Sequence, residues 1–530
     1  MSQEIDNPYL EKIGATLPRI LSGINLDPLS ATFGIADREY WAWKTADFPN
    51  ASLQGVIAGI LLLNRDNLWP YTASGKRIND LVEALISGLK DMTRRDGSLD
   101  EAAPLERSWC TTALVGFDLL SAYEYSSNVI EDALRNSILE AVEPLAHFVI
   151  RNRESHGFIS NHLSAAAAFL NRWHEHGNSN KVKAASDDLI SEVLRAQSSE
   201  GWFPEYGGAD PGYQSLTMSF LSDIYCRKPT LQLQRALSSS LEFLSFCVHP
   251  DGSFGGLYGS RNTRFYFPDG IYQLAEFFPR ALQMATLMDK SIRDEKVVSL
   301  LSIDKGNLSP MFNSYCRAAS SKSKTMNLQE DEGAEDWRVE PKRTILPEAG
   351  LIFDQGKKHL TVLSTKKGGV VYHFTRSGPV TINAGLALKK DGKWSSTQDP
   401  LSPPLVKWLS NNEISITTEL TQIPRLYPTP LRFVLIRLLS ITLFTFRPLR
   451  ELIKNFIVGK LVRSSKSIDV LNTRKITLGE NLQIIDSLVG QSDFEVTSLS
   501  GNIGVIHMAS QGYWQVQDEA VSVAGNAFSN

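Results

Sequence analysis

The chain has 530 residues, 42% apolar and 21% charged, with 54 Lys and Arg against 58 Asp and Glu, for a formal charge of −4. This is an ordinary globular composition, long enough for a large core and for roughly two to four domains. The near-balanced charge excludes a chain-wide nucleic-acid footprint, and no nucleic-acid partner is expected. Cys110, Cys226, Cys247 and Cys316 lie far apart with no CxxC pair. That spacing excludes a zinc ribbon and a disulfide framework and leaves four reduced core thiols. No metal and no other cofactor is called for.

The N-terminal stretch MSQEIDNPYLEKIG is acidic and has no apolar run, so no secretory signal is expected. The expected location is cytoplasmic, with peripheral attachment to the inner membrane as an extension of the basic segment described below. From there to about residue 300 apolar residues recur at helical spacing, as in INDLVEALISGLKDM, TTALVGFDLLSAYEY, NSILEAVEPLAHFVI, SDDLISEVLRAQ and LSSSLEFLSFCV. A short turn recurs between them: DGSL at Asp96, HGFI at His156, EGWF at Glu200 and DGSF at Asp251. Its glycines, Gly97, Gly157, Gly201 and Gly252, are 60, 44 and 51 residues apart, the step of one helical hairpin. Hairpins that cannot bury their apolar faces alone must close around a common core. The predicted unit, residues 1–316, is an α/α toroid, an incomplete barrel of helical hairpins, with the recurring turns on one rim.

Residues 317–336 are polar and read as a linker. Beyond them the period becomes two, in LIFDQ, HLTVLST, GVVYHFT, PVTINAGLAL, EISITTELTQI, NLQIIDSLVG, FEVTSLS and NIGVIHM. The predicted second unit, residues 337–530, is an antiparallel β-sandwich, so the fold class is multidomain α+β. A helical insertion, apolar and basic, interrupts it at 429–466. Between Arg425 and Lys466 nine Lys and Arg face one acid, Glu451, leaving the rest of the chain at −12. Its uncharged run is too short to span a bilayer. An anionic membrane surface is one partner it fits, and packing against the sheet is the other reading.

Four segments carry candidate chemistry. Asn161 and His162 open an Ala-rich helix in SNHLSAAAAFL. Ser160 or Asn161 suits an N-cap, and the helix dipole is expected to keep His162 neutral. Capping and function stay open for this pair. The loop EGWFPEYGGADPGYQSL brings Glu205, Tyr206 and Tyr213 to the rim, with Asp210-Pro211 as N-cap and N1. Arg261, Asn262 and Arg264 sit in a Gly-rich turn that can present guanidinium groups to a carboxylate or sulfate. His373 stands on a probable strand near Arg376, its direction open. HEHG at His174 is read as a solvated helix end rather than a metal site.

Together SNHLSAAAAFL, GWFPEYGGADPGYQSL, ILPEAGLIF and LQIIDSLVG resemble the heparinase II/III-like polysaccharide lyases and their alginate-lyase relatives, over most of the chain. The resemblance implies a toroid followed by a sandwich, and β-elimination on a uronate-containing glycan without a cofactor. It implies that Asn161 and His162 contact the uronate carboxylate and assist proton transfer. Tyr213 is implied as general acid or base, with Tyr206 as the competing alignment and Glu205 as an acid of the same loop. His373 is the implied contribution from the sandwich. Arg261 would add a donor for the developing charge. The expected partner is an acidic polysaccharide; the lack of an expected signal and the basic insertion, which depart from the family, add the expectation of a lipid-linked glycan and a role in making or processing a surface polysaccharide. Two alternatives stand beside this: a glycoside hydrolase on the same toroid, drawing two carboxylates from Glu205, Asp210, Asp251 and Asp269, or a non-catalytic glycan-binding or assembly protein.

Overall fold

The computed structural model describes residues 7–504 apart from 72–74, 155–156, 178, 326–340, 376–379, 424–428, 444–445, 447, 450–451, 454–465 and 491–493. The helices in chain order are α1 (Pro8–Leu21), α2 (Arg38–Trp41), α3 (Ile57–Arg65), α4 (Gly75–Met92), α5 (Trp109–Tyr125), α6 (Asp132–Arg151) and α7 (Ser160–Gly177). They continue with α8 (Asn180–Ala196), α9 (Pro211–Arg227), α10 (Leu231–Phe246), α11 (Asp269–Leu274), α12 (Pro279–Arg293) and α13 (Leu308–Thr325). Two kinds alternate. α5, α7 and α9 are buried on nearly every face, whereas α8 and α10 bury one stripe. The difference follows from their packing. α3, α5, α7, α9, α11 and α13 touch in that order, and α13 returns to α3. α4, α6, α8, α10, α12 and α1 lie against them as an outer layer. The Ala165–Ala168 run of α7 is fully buried, and its small side chains let α5 and α9 approach on both sides.

The polar stretch expected as a linker from Arg317 starts inside α13, which runs to Thr325. The helix buries Ala318 and Ala319, and Arg317 donates to Asp269 across 2.6 Å, so the polar composition there serves an internal ion pair. The remainder of that stretch lies outside the described residues. Cys226 is exposed, not a core thiol; Cys110, Cys247 and Cys316 are buried as expected, and all four are free.

The strands are β1 (Lys342–Leu346), β2 (Leu351–Gln355), β3 (His359–Ser364), β4 (Val370–Thr375), β5 (Thr381–Lys390), β6 (Lys393–Ser396), β7 (Leu405–Trp408), β8 (Glu413–Gln422), β9 (Ser467–Thr477), β10 (Gln483–Gly490) and β11 (Glu495–Ser500). They form one antiparallel sheet in the order β1-β2-β3-β4-β5-β6-β8-β9-β10, with β7 on β8 and β11 on β5. The sheet folds back on itself: Ile352, Leu363 and Val371 of β2–β4 share an apolar cluster with Ile414, Ile416 and Ile476 of β8 and β9. The opposite faces of β2–β4, including Phe353, Val362, Tyr372 and Phe374, join the core of the helical half. Phe246 stacks on Phe353 at 5.3 Å, and the Tyr372 hydroxyl accepts from the Leu257 N–H at 3.0 Å. β2–β4 are therefore buried on both sides, and that burial holds the two halves together.

The insertion contributes α14 (Pro430–Thr442), capped by Thr429 with Pro430 at N1. Its continuation, the HGFI residue His156, Arg376, and the end of NIGVIHM lie largely outside the described residues. Among the described residues no helix is long and apolar enough to cross a membrane.

Candidate active site

The recurring turns sit just ahead of α5, α7 and α9, at one end of the inner helices. In each the glycine backbone is positive in φ: Gly97 at 84° and Gly201 at 91°. A Cβ at Gly97 would lie 2.0 Å from the Pro144 carbonyl oxygen, and one at Gly201 2.2 Å from that of Ser239. The turns at Gly97 and Gly201 are thus clamped on the outer helices α6 and α10, and the residues after them start α5 and α9 in fixed positions. Ile159, just before α7, bridges to Glu205 in the next turn.

That bridge resolves the role of the Asn-His pair. Neither Ser160 nor Asn161 caps α7 with its side chain. Ser160 donates its hydroxyl to Pro204 O at 2.7 Å, and Asn161 donates both its backbone N–H and its Nδ2 to Glu205, each at 3.0 Å. Glu205, fully buried, is the cap, supplied by a different loop to an otherwise unpaired N–H of the first turn. Burial pushes its carboxyl up to about 7, against the Asn161 hydrogen bonds that pull it down.

His162 is not neutral as expected. Burial alone would lower its pKa, but Cys110 and Glu154 outweigh it and hold the imidazolium well above the ordinary histidine value. The Glu154 Oε2 lies 2.6 Å from Nδ1. A charged partner in contact exceeds the partial charge of a helix end, which is why the dipole argument fails here. Glu154 was not singled out in the sequence; its only signal is its place eight residues before His162 in the same turn.

The loop after α10 completes the cluster. Asp210 caps α9 by accepting from Tyr213 N at 3.2 Å, and it also accepts from Arg261 N at 2.9 Å and from the Thr263 hydroxyl. One carboxylate thereby fixes both loops. Arg261 is placed between two phenols, its Cζ 4.5 Å from the Tyr206 ring centre and 4.7 Å from that of Tyr213. Tyr206 takes the turn at φ 53°, which turns its ring out over Arg261. Tyr213 rests edge-on against Phe265 at 5.3 Å. Burial raises the Tyr213 phenol to about 12, with Arg261 and His162 opposing the rise.

The other candidates separate. Asn262 is buried at φ 56° and accepts from Lys367 Nζ at 3.2 Å. Lys367 comes from the β3–β4 turn and is the sheet's contribution; its pair of lysines before Gly368-Gly369 was the only signal. Arg264 carries its charge near His249, against the sheet, where it opposes protonation of that ring. His373 is a correction. Strand alternation points Tyr372 and Phe374 at the helical half, so His373 faces the other way, where it meets Thr361 at 2.8 Å and the His359 ring at 5.8 Å. Among the described residues no group of His, Cys, Asp or Glu could hold a metal ion.

Asn161, His162, Glu205, Tyr206, Tyr213 and Arg261 therefore occupy one rim: two cationic side chains beside two phenols, suited to an anionic group. No protein-family model and no curated protein sequence matches the chain. Among solved structures, a Paenibacillus xanthan lyase matches with a TM-score of 0.53 at 12% identity, over 93% of this chain and 46% of that one. The chondroitin AC lyase of Streptomyces coelicolor A3, solved with chondroitin sulphate, matches with a TM-score of 0.50 at 9% identity, over 80% of this chain and 67% of that one. The chain spans about half the length of the xanthan lyase. At such identities the likeness is one of fold: the helical half followed by an antiparallel sheet is an architecture shared with polysaccharide lyases.

Proposed function

We propose that the chain is a polysaccharide lyase of the heparinase II/III-like kind, with an α/α toroid and a β-sandwich, cleaving a uronate-containing glycan by β-elimination. The observation that carries this reading is Arg261 held between Tyr206 and Tyr213 beside the His162 imidazolium. The first task of such a reaction is to neutralise the uronate carboxylate, because that makes the C5 proton acidic. His162 and Arg261 supply fixed positive charge for it without reorganisation. The second task is proton transfer. Tyr213 as phenolate takes the C5 proton, the C5–H electrons form the C4–C5 double bond, and the C4–O bond breaks. The phenol then returns its proton to the leaving oxygen. With its pKa near 12, a value that already includes the lowering by Arg261 and His162, the phenolate is the minor form at neutral pH.

Asn161 enters this reading as a positioning residue, since its amide is committed to Glu205. The hydrolase alternative has less support. Glu205 accepts from Asn161, Asp210 from Tyr213 and Arg261, Asp251 from Ser253, and Asp269 from Ser219, Ser314 and Arg317. Each of the four carboxylates is occupied in building loops and helix ends.

Incubation with uronate-containing polysaccharides followed by mass analysis of the products tests the proposal. Elimination gives fragments with an unsaturated end and no gain of water. Fragments heavier by one water per cleavage would assign the site to hydrolysis.

A further inference from the structure

α14 presents an apolar face to solvent. Leu431, Val434, Leu435, Leu438 and Ile441 recur at helical spacing, and each is more than half exposed, from 52% at Leu438 to 79% at Leu431. The opposite side is seated: Ser440 is buried, and Arg437 pairs with Asp47 at 2.8 Å and lies over the Phe48 ring. These contacts seat the C-terminal half of the helix, while Phe433, earlier on that side, is 51% exposed, and they leave the Leu431–Ile441 stripe facing outward. A contiguous apolar stripe of this kind on a soluble surface marks an interaction site.

The charge of the sequence segment that contains α14 selects the partner. The segment from Arg425 to Lys466 carries nine Lys and Arg against Glu451 alone, while the remainder of the chain is net acidic. A second copy meeting this face through its own would bring two strongly basic segments together. An anionic bilayer offers both an apolar layer for the leucines and negative headgroups for a segment of net positive charge. Trp43, four residues before Asp47 in the segment that seats the helix, is 69% exposed, as suits an aromatic residue at a membrane–water interface. We infer that α14 is an in-plane docking helix that holds this protein on an anionic membrane surface. The consequence for the site is geometric. Asp47 and Phe48 also wall a cavity of about 940 Å³ that continues to Arg94, Arg95 and Arg107 beside the DGSL turn, so docking sets that turn near the bilayer.

Co-sedimentation of the full chain with phosphatidylcholine vesicles, with and without phosphatidylglycerol, tests this. The expected result is binding to the anionic vesicles that weakens with salt, and that drops by about tenfold or more in a Leu435→Asn, Leu438→Asn double variant and in Arg432→Glu. Because these side chains are exposed, the variants keep their fold. Equal binding by wild type and variants, or no binding of wild type to either vesicle, overturns the inference. So does a dimer in sedimentation velocity that the double variant abolishes while vesicle binding is absent. The readout is membrane binding alone, so its failure is separable from failure of the lyase reading.

Discussion

Burial and charge pull the Tyr213 phenol in opposite directions, and the balance predicts how the activity titrates. Its pKa stands near 12, so the phenolate fraction grows tenfold per pH unit through the neutral range. Under the proposed mechanism, elimination should therefore accelerate as pH rises, until His162 loses the proton by which it is proposed to hold a uronate carboxylate. Glu154 is one of the two groups that keep that proton in place. Glu154→Gln should move the alkaline fall in kcat/KM to lower pH while leaving the rising limb in place; a profile that does not move would separate Glu154 from catalysis. Tyr213→Phe keeps the ring on Phe265 and under Arg261 and removes only the hydroxyl, so it should lower elimination about 10²- to 10⁴-fold with the fold intact. At this level the sequence named most of the cluster, because Asn-His, Tyr and Arg stand out among apolar neighbours. It misjudged the charge on His162, since the partner that sets it, Glu154, is an ordinary surface-type acid until the turn folds.

Helices and turns explain why those side chains meet. α5 and α9 start where their Gly turns are clamped on the outer helices, and Gly97 and Gly201 tolerate no Cβ. Gly201→Ala adds a methyl 2.2 Å from the Ser239 carbonyl oxygen in a backbone at φ 91°. It should destabilise the chain by more than about 1 kcal/mol in urea unfolding and reduce activity with it, because the turn carries Glu205. The recurring turn and helical period were plain in the sequence, and five quoted apolar-periodic runs lie on α4, α5, α6, α8 and α10. β9 was not. Its inward positions include Asn472 and Arg474, both buried, with Arg474 bound to Asp486, Asn383 and Gly369 O, so the alternation of apolar residues is broken where the strand buries an ion pair. β6, only four residues long, was not among the strand-like runs.

The union of the two halves depends on a neutral histidine. His249 is fully buried, bonded to Ser253 and to the Tyr258 hydroxyl, and stacked on Phe374 of the sheet at 4.6 Å. Burial pushes its pKa well below the ordinary value of 6.5. The unfolded chain binds that proton at a higher pH than the folded one, so this contribution is complete above pH 6.5 and is lost as pH falls below it. Glu205 and Asp118 act in the other sense: both carboxyls are raised by burial to about 7, so stability from them falls as pH rises from the ordinary carboxyl range through neutrality. Denaturant midpoints across pH should show both limbs, and His249→Phe should flatten the acid one; an unchanged acid limb would assign it to other groups. The sequence could separate a helical part from a strand part by period. It could not show that β2–β4 are buried on both faces, because near-continuous apolar runs do not say what covers either side.

The central claim is that this rim performs elimination through Tyr213. The most direct measurement is ultraviolet absorbance of the C4–C5 double bond during incubation with a uronate-containing polysaccharide, for wild type and Tyr213→Phe side by side. The expected result is a rise with wild type that nearly vanishes in the folded variant. Cleavage without that absorbance, or the same rise in both proteins, would contradict it.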